Sequence, residues 1–133
     1  MRVVLDVNVL ISALISPTGA PARIVSQWLE GGIELVVSPA LIAEAERTLA
    51  LPKLRARIDQ ADAERFIELL TDRAESIPDP EDPPTIRSSD PGDDYLLALA
   101  ASEQVALVSG DDHLLALRGR APIMSPRDFI ERL

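Results

Sequence analysis

The stretch Val3-Val4-Leu5-Asp6-Val7-Asn8-Val9-Leu10-Ile11 decides how the rest of the chain is read. Seven of its nine residues are apolar, and five are valine or isoleucine, whose β-branch favours strands. A continuous apolar run without polar alternation predicts a strand covered on both faces. Asp6 stands inside that run, and in a strand Asn8, two residues on, shares its face. A buried ionised carboxylate is costly unless it is paired or holds a metal. A plainer role is also open to Asp6, that of capping the turn that follows, since Asp hydrogen-bonds nearby backbone well.

Outward from this run, strand and helix signals alternate. Ser16-Pro17-Thr18-Gly19 reads as a turn, and Pro21 opens a helix to about Glu30 with Ala22, Val25, Trp28 and Leu29 as its apolar stripe. Gly31-Gly32 stops it, and Ile33 to Val37 predicts a second strand. Ser38 caps a helix that runs to about Leu51, where Pro52 breaks it. Another helix is expected over Asp62 to Arg73, then a weak strand over Ala74 to Ile77. Residues 78–92 hold five prolines and no periodicity, which reads as a stiff arm and not a domain linker. A helix from Tyr95 to Ser102, a strand from Val105 to Ser109, a turn or short helix over Asp111 to Leu117, a brief strand at Ile123-Met124 and a helix starting at Ser125-Pro126-Arg127-Asp128 complete the chain. Such alternation predicts a single α/β domain over 1–133 with a mostly parallel sheet, whose ligands sit beyond the carboxyl ends of the strands.

Composition narrows the chemistry. There is no cysteine, so disulfides, thiolate metal sites and a cysteine nucleophile are excluded. His113 is the one histidine, which argues against a histidine-rich zinc site. A metal held here is held by oxygen, which points to Mg²⁺ or Mn²⁺. The net charge of −9 argues against a general nucleic-acid-coating surface. A polyanionic ligand has to be drawn in by metal and by local arginines, and positive charge here is twelve arginines and Lys53. The densest positive spots are Lys53-Leu54-Arg55-Ala56-Arg57 and Arg118-Gly119-Arg120. Arg55 and Arg57 are therefore candidate phosphate contacts, with solvated helix ends as their plainer reading. No apolar run approaches the roughly 18 residues of a membrane span, and Met1-Arg2 leads into the first strand without a signal peptide, so a cytoplasmic location is expected.

Five acids from four segments fall on one edge of the predicted sheet. Asp6 lies late in strand one. Glu44 lies within two turns of the cap Ser38. Asp93 and Asp94 open the helix before strand four, and Asp111 follows Ser109-Gly110 at that strand's end. Each has a local explanation as a cap or a solvated surface charge. As a set, clustered carboxylates repel unless a cation sits between them. An all-oxygen acidic pocket suits one or two Mg²⁺ or Mn²⁺ ions that activate water for phosphodiester hydrolysis.

Four pieces, Val4 to Ala13, Ser38 to Glu44, Ser89 to Ala100, and Leu107 to Asp111 with Leu114-Leu115, resemble in sequence and order the PIN-domain proteins, in particular the VapC-like toxins of toxin–antitoxin systems. The resemblance spans almost the whole chain. It implies a three-layer α/β domain whose central parallel sheet of about five strands is flanked by helices. It also implies metal-dependent cleavage of RNA, a homodimer, and a small antitoxin protein that blocks the site. Carried over by position, Asp6, Glu44, Asp94 or Asp93, and Asp111 are the metal-binding catalytic acids, with Asn8 and Ser109 as polar neighbours that orient them. Spacing after Asp94 is about one residue shorter than in the family, which leaves Asp93 and Asp94 both open as the metal ligand. His113 stands where many relatives carry an aspartate, and both a substrate or metal contact and a surface role are open to it. Two other readings are open to the same residues. A haloacid-dehalogenase-like phosphatase needs Asp-x-Asp, but Asn8 holds the second place, Leu115 stands where a further acid is required, and Lys53 is the only lysine. A non-catalytic PIN-like protein-binding module is the other, against which all four acidic positions are filled.

Overall fold

In the computed structural model, which describes residues 1–133, the opening apolar run divides in two. Arg2–Leu5 forms strand β1, and Val7–Ile15 forms helix α1 with Asp6 as its N-cap. The expectation of one strand through Ile11 is therefore corrected. The cause is local: the Asn8 N–H donates to Asp6 Oδ1 at 3.3 Å, satisfying a donor that a helix start leaves free. Val7, Val9, Leu10 and Ile11 are all buried, so the unbroken apolar run serves a helix sealed on most sides. Periodicity in so short a run does not separate the two. Asn8 does not share a strand face with Asp6; it stands exposed in the first turn of α1.

The remaining elements follow the sequence closely. Helix α2 (Ala20–Leu29) leads to β2 (Glu34–Val37), and α3 (Pro39–Leu49) begins at the Ser38 cap, whose Oγ accepts the Leu41 N–H at 3.3 Å. Pro52, expected only as a breaker, also starts the short helix α4 (Pro52–Arg55), since a proline at the first helical position loses no bond. Helix α5 (Gln60–Arg73) precedes a two-residue β3 (Glu75–Ser76). After the proline arm come a single 3-10 turn (Pro91–Asp93), α6 (Asp94–Glu103), β4 (Ala106–Val108), α7 (Asp112–Leu115), β5 (Ile123–Met124) and α8 (Pro126–Glu131).

All five strands are parallel, in the order β3-β2-β1-β4-β5. Successive residues of a strand point to opposite faces, and Val3, Val4 and Leu5 are 0, 0 and 2 % exposed. Both faces of the central strand are therefore covered, as a parallel sheet requires, and α6 packs directly on β1 and β4. This is the helix–sheet–helix arrangement the sequence predicts. Strand order reverses between β1 and β4, so the crevice of the fold opens where their carboxyl ends diverge. At the opposite edge Arg2 forks onto Glu75 (2.8 and 2.9 Å) and reaches Glu103 (2.8 Å), tying the start of β1 to β3 and to the end of α6. No single helix is long and apolar enough to cross a membrane.

Residues 77–90 carry no helix or strand, and carboxylates fasten both ends of this arm. Asp79 Oδ2 accepts the Ala40 N–H at 2.9 Å, and Asp94 Oδ1 accepts the Ser88 N–H at 3.0 Å. Leu99, fully buried on α6, is the test of how firmly that helix holds the sheet. Leu99→Ala is expected to lower stability by about 2–5 kcal/mol in urea denaturation, through lost transfer energy and a residual cavity.

Candidate active site

Three polar or charged residues are buried in this protein: Asp6, Ser38 and Ser109. Each stands one residue beyond the end of a strand, after β1, β2 and β4 respectively. Both serine hydroxyls are engaged in hydrogen bonds, whereas Asp6 brings a charge. The Ser109 hydroxyl donates to Asp6 Oδ2 at 2.7 Å and accepts the Asp111 N–H at 3.0 Å. The Asp6 backbone N–H still donates to the Val108 carbonyl at 2.9 Å, so the acid is fixed to β4 by main chain and side chain alike.

Asp6, Asn8, Glu44 and Asp93 line one cleft of about 220 Å³ beyond the carboxyl ends of the strands, joined by Asp90, Thr48 and Tyr95. Burial raises the Asp6 carboxyl above the ordinary range, opposed by the bonds from Ser109 and Asn8, while Asp111 adds repulsion. Asp93 is pushed up to about 6, first by burial and then by the charges of Asp111, Asp6 and Asp90. Its Oδ2 is buried and has no hydrogen-bond partner. Burial and the same carboxylates, Asp6, Glu44 and Asp93, also push the Tyr95 phenol well above its usual value.

The neighbouring acids Asp93 and Asp94 have different tasks. Asp93 closes the 3-10 turn and faces the cleft; Asp94 opens α6 and turns back to hold the arm at Ser88. Glu44 pairs with Arg47 one turn along α3, and Thr48 bonds to the Glu44 carbonyl at 2.8 Å. Asp111 caps α7 by accepting the His113 N–H at 2.8 Å, and the His113 ring Nδ1 lies 3.1 Å from the same oxygen. It stands beside the cleft without lining it, although its charge reaches both Asp6 and Asp93. His113 is exposed on its outer side.

Arg55 lies on a separate groove between α3 and α5, rimmed by Glu46, Glu64 and Glu68, with its guanidinium on Gln60 Oε1 at 3.0 Å. Arg57 is exposed after α4. Neither reaches the acidic cleft. Reasoning from sequence missed Arg47, although its i,i+3 spacing from Glu44 was available. It also missed Tyr95, whose place beside two aspartates gave no signal of which way the ring points.

As the side chains stand, no three carboxylates form a ready metal-ligand cluster. Glu44 is engaged by Arg47 and Asp111 by His113. The donor set nevertheless suits a hard cation. It is all oxygen, Asp6 and Asp93 are held hard to ionise by burial and by neighbouring carboxylates, and one buried carboxylate oxygen of Asp93 lacks a partner. The exposed Glu44–Arg47 pair is the weak kind that a cation displaces readily.

Residues 2–113 match the family model of the PIN domain. The chain is 29 % identical over 143 residues to the uncharacterized protein MJ1680 of Methanocaldococcus jannaschii, covering 98 % of this chain and 90 % of that one. Its fold is similar to VapBC-1 from nontypeable Haemophilus influenzae, with a TM-score of 0.62 and 20 % identity over 96 % of this chain and 99 % of that one. It is also similar to VapBC-5 from Mycobacterium tuberculosis, a member of the VapBC family of toxin–antitoxin systems, with a TM-score of 0.55 and 19 % identity over 93 % of this chain and 96 % of that one.

Two measurements follow from the site. Ser109→Ala removes the hydroxyl that holds Asp6 and is expected to cost about 1–3 kcal/mol of stability at pH 7, read by chemical denaturation. Asp93 titrates near 6 when folded and near 4 when unfolded, so between these values the folded state binds more protons. Metal-free protein should therefore lose stability as pH rises from about 4 to about 6, and Asp93→Asn should flatten that slope in melts across the range. Because the family model matches residues 2–113, most of its length, the chain belongs to the PIN-domain family.

Proposed function

We propose that this protein is a metal-dependent endoribonuclease that hydrolyses RNA phosphodiester bonds at the cleft of Asp6, Glu44 and Asp93. The observation that carries the reading is the buried Asp6, fixed by Ser109 and facing Asp93, whose Oδ2 has no partner within the chain. Membership of the PIN-domain family supports nuclease chemistry, and the shared fold with VapBC proteins supports a role as the toxin of a toxin–antitoxin pair. A homodimer and a small antitoxin partner in the cytoplasm belong to the same proposal.

Asp6 and Asp93 are the residues that would hold Mg²⁺ or Mn²⁺, joined by Glu44 once it leaves Arg47; Asp111 acts from beside them. Bound metal would lower the pKa of a coordinated water and offset phosphate charge. The chain's own contribution is positional. Ser109 and the Asn8 N–H fix the two Asp6 oxygens, and the 3-10 turn ending at Asp93 sets the distance across the cleft. Asp94 does not face the cleft and serves the arm instead. Release of Glu44 would free the Arg47 guanidinium, a cation close to Glu44, for an RNA phosphate.

A second reading, a PIN-fold module that binds protein without catalysis, draws on the Glu44–Arg47 and Asp111–His113 pairs, which engage two of the acids. Both pairs reach solvent, and such pairs contribute about 0–1 kcal/mol, too little to withhold the acids from a cation. The deciding experiment is cleavage of a mixed RNA pool with Mn²⁺, by wild type and by Asp6→Asn. Cleavage is expected only from the wild type, falling at least about 100-fold in the variant. Mn²⁺ should also raise the wild-type melting temperature, because only the folded state assembles the site, and Asp6→Asn should largely lose that rise. Equal cleavage and equal metal shifts in both proteins would refute the nuclease reading.

A further inference from the structure

The cleft offers an anionic ligand many acceptors and few donors. Asp6, Glu44, Asp90 and Asp93 all present carboxylates to it. Among the uncharged polar side chains on its wall, Thr48 spends its hydroxyl proton on the Glu44 carbonyl. The Asn8 amide and the Tyr95 hydroxyl remain.

Tyr95 is singular among the aromatic residues. Trp28, Phe66 and Phe129 are 4, 5 and 1 % exposed and belong to the core. Tyr95 is half-buried, with its ring packed against that core and its side chain on the cleft wall. Its hydroxyl lies within electrostatic reach of Asp6, Glu44 and Asp93 together, and no hydrogen bond within the chain engages it. A lysine or arginine at this point would be captured by the carboxylates, as Arg47 is by Glu44. The neutral phenol brings a donor without a charge, and no carboxylate has engaged it, so its O–H is available to a ligand.

We propose that Tyr95 is a substrate-positioning residue whose O–H donates to a non-bridging oxygen of the phosphodiester held in the cleft. The core-packed ring leaves the hydroxyl little freedom, so the bond fixes the phosphate's orientation relative to Asp6 and Asp93 with small loss of entropy. This inference rests on the ribonuclease reading and names a contact within it.

The test is single-turnover cleavage at saturating RNA with Mn²⁺, for wild type, Tyr95→Phe and Asp6→Asn. An all-oxygen RNA is compared with its two stereodefined phosphorothioates. Tyr95→Phe keeps the ring and should melt as the wild type does. Its cleavage rate should fall about tenfold or more, the effect of losing a hydrogen bond to a charged group, with a smaller change in RNA affinity. Sulfur at the contacted oxygen should slow the wild type, and the two losses should fail to multiply in the Phe variant, because both delete the same bond. A wild-type rate in Tyr95→Phe, or full multiplication of the losses with both phosphorothioates, overturns the inference while leaving the nuclease reading intact if Asp6→Asn is inactive. Undiminished cleavage by Asp6→Asn, or no cleavage by the wild type, overturns both.

Discussion

Burial of one carboxylate at the reversal of the strand order is the constraint on which the rest of this structure turns. A carboxylate as deep as that of Asp6 has to be given donors, and the fold supplies them from two directions. One is the first turn of α1, begun by Asp6 itself. The other is Ser109, brought alongside because β4 lies next to β1 in the sheet. Ser109 in turn receives the Asp111 N–H, so the hydrogen-bond chain continues into the cap of α7. A sheet order that separated β1 from β4 would leave Asp6 buried and half satisfied.

Around this fixed point the chain accumulates negative charge that it does not neutralise. Asp111 presses on Asp6, and Asp111, Asp6 and Asp90 all press on Asp93. The partners of the outer acids are on the flank: Arg47 holds Glu44, and His113 lies against Asp111. Structural ion-pair networks place opposite charges between like ones, whereas this cleft leaves its middle to acceptors. Such an arrangement costs stability at neutral pH, which is the usual mark of a site kept for a ligand and not for the fold.

Much of this could be read from the residues, and the failures have physical causes. Helix starts at Ser38, Pro126 and around Pro21 announce themselves because capping and proline geometry are local. The parallel sheet followed from the alternation of elements, and the acids' shared edge followed from the sheet. Val7 to Ile11 misled because a helix buried on most sides has no polar stripe, leaving no period to detect. Asp6 turned out to be both a helix cap and a buried acid, two readings that sequence set against each other. Asp93 and Asp94 could not be separated without the 3-10 turn between Pro91 and Asp93, which adds a rotation that helical spacing does not contain. Arg55 and Arg57 are a dense cluster along the chain, yet charge density in sequence carries no information about which groove a short helix faces.

The bond from Ser109 to Asp6 spans 103 positions of chain. β1 is made first and can pair with β2 soon afterwards, but its other neighbour is β4, near the end of the sequence. A domain folds as a unit once its parts have been made, and contacts of such separation are slow to close. A growing chain therefore carries Asp6 and Glu44 for most of its synthesis with the central strand open on one side and the acid still in water. The support of Asp6 is completed only when β4 docks, so a fragment that ends before β4 holds the acid without its Ser109 partner.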